Sequence, residues 1–316
     1  MLDALIIGAG PAGLTAACYL GRFRRPVLVI DAGVSRARWI PESHNIPGFP
    51  QGVGGEEFLS RLKCQAEKYG AQVLAGRVRS IVRQDPGFLI NLNSQTIRSR
   101  YVLLATGVED RLPPLAGAAE ALLRSVLRLC PICDGFEAID KRIAVIGDGS
   151  HGEHEAEFLR TYSAHVCYVH VGDRSDTSRE QRLKERGIEL IEADVNQLHI
   201  EKDGLKLEMP PGKERDFDVF YAALGCTPRN ELATALGARC DENNALIVNA
   251  HQQTSVEGVY AAGDVVRGLN QVVVATAEAA LAATDIHNRL RMRNQSEPMA
   301  LRKSQNPESV SASTSS

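Results

Sequence analysis

The sequence predicts an α/β protein built from two related Rossmann-like nucleotide-binding domains, the second inserted into the first. Three observations carry this. A strand, a glycine turn and a helix occur in series twice, with turns at Gly8–Gly13 and Gly147–Gly152, 139 residues apart. A further apolar strand ends in Gly263-Asp264 and runs into an Ala-rich helix, in a stretch too short to form a domain by itself. Between the two glycine turns stands Cys130-Pro131-Ile132-Cys133-Asp134-Gly135, where two cysteines sit at redox-motif spacing.

Size and charge agree with two globular units. The chain has 316 residues, 44% hydrophobic and 24% charged, and domains run to roughly 100–200 residues each. Lys and Arg number 36 against 39 Asp and Glu, a net of −3, which gives no electrostatic reason to expect nucleic acid or a membrane surface as partner. No apolar run approaches the roughly 18–20 residues of a membrane span. The chain enters the strand Ala4–Ile7 at once, so no signal peptide is expected and the protein is expected in the cytoplasm. Seven cysteines is an odd number for a disulfide-stapled scaffold. Cys18, Cys64, Cys167, Cys226 and Cys240 read as small apolar residues instead.

The first unit begins with Ala4–Ile7 as a buried strand. Gly8-Ala9-Gly10-Pro11-Ala12-Gly13 follows, and Leu14, Ala16, Ala17 and Leu20 recur at helical spacing. Pro26–Ile30 is a second strand that ends on Asp31, 18 residues after Gly13. Glycines let backbone N–H groups approach a pyrophosphate at the positive end of a helix, and an acid near that spacing accepts hydrogen bonds from ribose hydroxyls. A Gly- and Pro-rich segment over 32–55 precedes an expected helix at Glu56–Tyr69. The strand Tyr101–Leu104 runs into Ala105-Thr106-Gly107, which suits a backbone passing close to a ligand. Pro113-Pro114 marks a linker.

In the second unit Arg142–Ile146 is the strand, Gly147, Gly149 and Gly152 repeat the triplet, and a helix continues through Ala156 and Leu159. Ala223-Leu224-Gly225 weakly echoes Ala105-Thr106-Gly107. The strand Gly258–Asp264 and the helix Val272–Arg289 are expected to return to the first domain. The last 24 residues carry seven serines and no aromatic, and are expected to be disordered. The dithiol has an alternative as half of a zinc site, but no second Cys-x-x-Cys exists and His151 and His154 are not at finger spacing. As a redox pair, one thiolate attacks a disulfide and its twin resolves the mixed disulfide.

Taken together, these motifs resemble the low-molecular-weight thioredoxin reductases, FAD- and NADPH-dependent disulfide oxidoreductases. The resemblance spans about residues 1–290. It rests on Gly8–Gly13, Asn45-Ile46-Pro47-Gly48-Phe49, Ala105-Thr106-Gly107, Cys130–Gly135, Gly225 with Pro228, and Ala261-Ala262-Gly263-Asp264. It implies an FAD domain of 1–112 plus 246–292, an inserted pyridine-nucleotide-like domain of 113–245, a 293–316 tail, a homodimer, and hinges near Pro113-Pro114 and 245–250. It implies that Gly8, Gly10 and Gly13 hold the FAD pyrophosphate and Asp31 the adenosine ribose. Asn45 would face the flavin, and Asp264 would bind the ribityl–phosphate region beside Gly263. Thr106 and Gly107 would approach the cofactor, and Gln271 and Val272 would open the last helix toward the flavin. Cys133 would be the flavin-side cysteine, Cys130 the nucleophile and Asp134 the general acid/base.

Four sites depart from the pattern. Asn270 stands where the family usually has Arg, and Pro131 where it has a small residue. Val171-Gly172-Asp173 replaces the arginines that grip a 2′-phosphate, with Arg174 and Arg179 nearby as substitutes. Asp148 places a negative charge between the first two glycines of the second turn, which His151 could partly offset. Three readings of the electron donor follow: NADPH in an atypical pocket, NADH, or no pyridine nucleotide, with another donor such as ferredoxin. Thioredoxin or a similar disulfide is the implied substrate. An oxygen-using dithiol oxidase and a redox-sensing flavoprotein are the alternatives.

Overall fold

The computed structural model describes residues 1–93, 95–173, 176, 178–209 and 211–296. The first domain opens with β1 (Leu2–Ile7), α1 (Pro11–Arg22) and β2 (Val27–Asp31), then α2 (Gly55–Lys68) and β3 (Gln72–Ala75). An antiparallel meander of β4 (Ser80–Gln84), β5 (Gly87–Asn91) and β6 (Thr96–Leu104) follows. The sheet order is β3-β2-β1-β6-β5-β4. Its parallel half, with Ile7 opposite both Ile30 and Leu104, is the βαβ frame the glycine turn requires. Pro11 takes a first-turn position of α1, where its missing N–H costs nothing.

The chain then leaves through β7 (Val108–Asp110). The second domain holds α3 (Ala118–Leu123), β8 (Leu127–Arg128), α4 (Pro131–Asp134), β9 (Ile143–Gly147), α5 (Ser150–Leu159), β10 (Val166–His170), α6 (Arg179–Glu185) and β11 (Glu189–Glu192). An antiparallel meander, β12 (Leu198–Glu201), β13 (Gly204–Met209) and β14 (Lys213–Phe217), leads to β15 (Val219–Ala223). The strands β11-β10-β9-β15-β8 form one parallel sheet. Its two faces bury separate cores, one around Phe220 and Ile146, the other around Tyr221 and Val145. Such double burial explains the continuous apolar strands. Ile146 lies opposite Ala222 as Ile7 lies opposite Leu104, one residue before Ala223 and Ala105, so the weak echo in sequence is a repeat in space.

The chain returns through β16 (Cys226–Pro228), which pairs antiparallel with β7. The two crossings between domains thus run side by side. Next come α7 (Glu231–Thr234), β17 (Val259–Ala261) and α8 (Val272–Ser296). β17 pairs with Val102–Leu104 of β6, which returns the end of the chain to the first sheet. Alanines on α8 (Ala279, Ala282, Ala283) meet Ala16 and Ala17 on α1 in one buried cluster.

Two expected boundaries change. Ala233, Ala238 and Leu246 are buried in the first domain's core with Leu5, Ile7 and Ile30. The second crossing therefore lies at 226–228, not at 245/246, and the stretch where a hinge was expected, 245–250, lies within the first domain. Gly237 and the polar run Asp241–Asn244 belong to loops of the first domain, between the buried Ala233, Ala238 and Leu246. Helix α8 runs to Ser296, past the expected end at 292. The rest of the expected tail, 297–316, lies outside the described residues, as does Arg174. Among the described residues no helix is long and apolar enough to cross a membrane.

Candidate active site

A cleft of about 430 Å³ runs along the C-terminal edge of the first sheet and reaches the second domain. Its first wall is the glycine turn. Gly8 has φ +107°, and a Cβ there would lie 2.2 Å from the carbonyl oxygen of Ala105. A Cβ on Gly13 would lie 1.9 Å from the carbonyl oxygen of Gly8, so this glycine lets α1 pack onto its own turn from behind the cleft. No side chain caps the N-terminus of α1, which leaves backbone donors available to an anion. Asp31 lies at the end of β2, where its Oδ1 accepts from Gly33 N at 2.9 Å.

Thr106 and Gly107 line the same cleft and are pinned to the second crossing. The Thr106 hydroxyl donates to Arg229 O at 2.6 Å, and Arg229 N donates to Gly107 O at 2.9 Å. Gly263 lines it with φ +81°, its N–H donating to Glu278 at 2.8 Å. Asp264 is held by Arg36, whose Nη1 is 3.3 Å from Oδ2. Arg36 also forms a two-toothed pair with Asp110 at 2.7 and 2.8 Å. Burial pushes the Asp264 carboxyl up, against the pull of Arg36.

The far wall is the dithiol. Cys130 and Cys133 form a disulfide. Pro131 occupies the first turn of α4, and the Cys133 N–H donates to Cys130 Sγ at 3.2 Å. Gln271, buried at the start of α8 beside Val272, reaches across from the first domain. Its Nε2 lies 3.4 Å from both sulfurs. Its Oε1 accepts from Asn45 Nδ2 at 3.0 Å, and Asn45 Oδ1 accepts from the Ser43 hydroxyl at 3.0 Å. A polar chain from one domain thus ends on the disulfide of the other.

Asp134 lines the cleft next to the dithiol. Its Oδ1 accepts from the Tyr221 hydroxyl at 2.9 Å and lies 3.8 Å from Arg128 Nη1. Burial is the largest influence on its carboxyl. Arg128 and Tyr221 pull downward, Glu137 and Glu155 push upward, and the result is a pKa raised from 3.8 to about 6. Such a group exchanges protons near neutral pH.

Of the expected site residues, the first glycine pair, Asp31, Asn45, Thr106, Gly107, Gly263, Asp264, Gln271, Val272 and the Cys–Asp motif come together in this cleft. Gly147, Gly149 and Gly152 stand apart from it. A Cβ on Gly147 or Gly152 would strike the Tyr168 ring at 2.9 or 2.6 Å, and the Tyr168 hydroxyl donates to Gly149 O at 3.0 Å. Asp148 is 3.9 Å from Arg111. His151 bonds Glu155 at 3.0 Å, which raises the imidazole's pKa, so its charge serves that carboxylate first. Arg179, the first residue of α6, is paired with Glu153 of α5 at 3.0 Å, their side chains only 7% and 5% exposed. Arg182 holds both Glu153 at 2.9 Å and Asp176 at 2.7 Å. Arg179 is therefore not the free phosphate ligand that its position suggests. Arg36, Arg128 and Tyr221 are cleft or motif residues that the sequence reading missed. A lone Arg after a strand and a Tyr inside an apolar strand carry no local signal.

A family model described as pyridine nucleotide-disulphide oxidoreductase matches residues 2–279. The thioredoxin reductase of Treponema pallidum (strain Nichols) is 32% identical over 297 residues, spanning 89% of this chain and 94% of that protein. A crystal structure of HlmI is 27% identical with a TM-score of 0.85, covering 96% of both chains. The Lactococcus lactis thioredoxin reductase in its FR conformation is 26% identical and covers 92% of this chain and 100% of that one, with a TM-score of 0.61. The chain belongs to the pyridine nucleotide-disulphide oxidoreductase family. Within it, the chain is a thioredoxin reductase-like flavoprotein, an enzyme of disulfide oxidoreduction.

Proposed function

We propose that the protein moves electron pairs between FAD, held in the first-domain cleft, and the Cys130–Cys133 dithiol, and that the dithiol reduces thioredoxin or a similar disulfide. The observation that carries this is the disulfide at the wall of the glycine-turn cleft, with Gln271 Nε2 3.4 Å from both sulfurs. The residues fit FAD. Gly8 and Gly10 keep side chains away from a pyrophosphate, α1 offers uncapped donors, Asp31 suits a ribose, and Arg36 adds a cation beside Asp264. FAD bound there would supply two-electron exchange with a disulfide.

In this reading Cys130, as a thiolate, attacks one sulfur of the substrate disulfide. A new S–S bond forms, the substrate bond breaks, and the leaving sulfur takes the proton of Asp134. Cys133 then gives its proton to the Asp134 carboxylate and attacks Cys130 Sγ, which restores the Cys130–Cys133 disulfide and releases the second substrate sulfur, protonated from solvent. The substrate gains two electrons and two protons. The dithiol faces the cleft in this structure, so a bulky disulfide needs the second domain to turn on the paired strands Val108–Asp110 and Cys226–Pro228. The lower score against the FR conformation at near-complete coverage supports two arrangements of the same domains.

The electron donor is the less orthodox half. Among the described residues, Arg179 and Arg182 are already paired with carboxylates, so we propose that NADPH is a poor donor and that NADH or a carrier such as ferredoxin serves instead. Anaerobic titration of the flavin with NADPH, NADH and reduced ferredoxin in parallel tests this. Stoichiometric bleaching at micromolar NADPH refutes it. Cys133→Ser tests the main proposal: it should retain FAD and lose thioredoxin reduction, and undiminished reduction removes the dithiol from the mechanism.

A further inference from the structure

Behind the dithiol lies a buried polar cluster that no residue of the Cys-x-x-Cys motif explains by itself. Tyr221 and Arg128 are register partners on the neighbouring parallel strands β15 and β8. Strand alternation therefore sends both side chains to the same face of the sheet, the face on which α4 sits. Leu127 and Phe220, one position away, point to the opposite core. Tyr221 is fully buried and Arg128 is 5% exposed. A buried guanidinium is costly to desolvate unless its donors are satisfied. The partners of Arg128 are the Ser125 carbonyl at 3.2 Å, the Tyr221 hydroxyl at 3.2 Å, and the Asp134 carbonyl and carboxylate. Two of the four belong to Asp134. Its carbonyl sits at the C-terminal end of the four-residue helix that carries Cys133 and is N-capped by Cys130, so Arg128 also ties down that helix end.

We propose that Tyr221 and Arg128 are positioning residues for proton exchange at the dithiol, holding Asp134 by its carbonyl and Oδ1 and leaving Oδ2 to face the reacting sulfurs. The inference rests on the reading of Asp134 as the proton donor in the proposed reaction. In that step one proton passes from Asp134 to the leaving thiolate and the carboxylate remains. The Tyr221 hydroxyl at 2.9 Å donates to that carboxylate, and Arg128 balances its charge. The other groups that bear on Asp134 are Glu137, just after α4, and Glu155 of α5. His151 is bonded to Glu155 rather than to Asp134, and the Tyr162 ring packs on Gly135. Among the described residues, Glu137 and Glu155 each keep one buried oxygen without a hydrogen bond. Both push the proton onto Asp134, while Tyr221 and Arg128 are the groups that let it leave.

The test compares reduced holoprotein of the wild type, Asp134→Asn, Tyr221→Phe and Arg128→Lys. Alkylation of Cys130 and Cys133 by iodoacetamide is followed across pH, with mass spectrometry assigning the modified sulfur. The transition that disappears in Asp134→Asn belongs to Asp134. Losing a hydrogen bond to a charged acceptor is expected to move that transition up by about one pH unit in Tyr221→Phe. Arg128→Lys is expected to move it in the same direction by less, because an ammonium keeps the charge but not the planar fork. An upward shift in either variant supports the proposal. A transition unmoved in both, while Asp134→Asn still abolishes it, overturns it. If Asp134→Asn leaves the wild-type profile intact, the reading of Asp134 itself is what fails.

Discussion

Replacing Asp134 by Asn should make the protein's stability less dependent on pH, and the size of the effect follows from the site. Burial raises the Asp134 carboxyl from 3.8 to about 6. That rise corresponds to about 3 kcal/mol of difference between its protonation states. Because the folded pKa lies above the unfolded one, the folded state binds this proton more tightly. The contribution is full below about pH 4, is lost as pH rises through about 6, and is absent above that. Asn cannot titrate, and the change in its contacts with Tyr221 and Arg128 adds only an offset that does not vary with pH. The wild-type unfolding free energy minus that of Asp134→Asn should therefore fall by about 3 kcal/mol between about pH 4 and pH 8. Urea unfolding of the oxidised proteins at several pH values measures it. A difference that stays flat across that window refutes the raised pKa and with it the picture of a carboxyl that holds its proton near neutrality.

Three further outcomes are expected. Gly13→Ala places a methyl where a Cβ would lie 1.9 Å from the Gly8 carbonyl oxygen. It should cost about 1–3 kcal/mol and empty the flavin site, and full flavin absorbance in the purified variant contradicts this. Arg179→Ala leaves the buried Glu153 carboxylate with Arg182 as its one cationic partner among the described residues. It should lower stability by about 3 kcal/mol, whereas the double variant Glu153→Leu, Arg179→Leu recovers most of that; equal urea midpoints for the two would show that the pair does not matter. Gln271→Leu removes the amide that touches both sulfurs and Asn45. Flavin should stay bound while electron exchange with the dithiol slows about tenfold in stopped flow, the rate equivalent of one lost hydrogen bond. An unchanged rate removes Gln271 from that step.

What could be read along the chain is what neighbouring residues dictate to one another. Gly8, Gly10 and Gly13 are legible because sterics at one turn demand them, and their strand, helix and terminal acid lie within one βαβ unit. Cys130, Cys133 and Asp134 are legible because a single turn of helix brings them together. The return of Val259–Ala261 to the first sheet was legible too, since an isolated strand and helix have nowhere else to bury their apolar faces. The second crossing was not. Nothing along the chain between Pro228 and 245 marks which domain these residues join, and only the burial of Ala233 and Ala238 beside Leu5 and Ile7 puts them inside the first domain. The charges behaved likewise. Arg179 read as a spare cation until the fold set it against Glu153, 26 residues away. Arg128 and Tyr221, 93 residues apart, meet only because two strands lie in register. The sequence by itself determined the turns, the dithiol and the class of chemistry, because backbone sterics and spacing act locally. The tertiary structure decided which charges are free and what sets the proton on Asp134, because desolvation and Coulomb interactions depend on distance in space rather than along the chain.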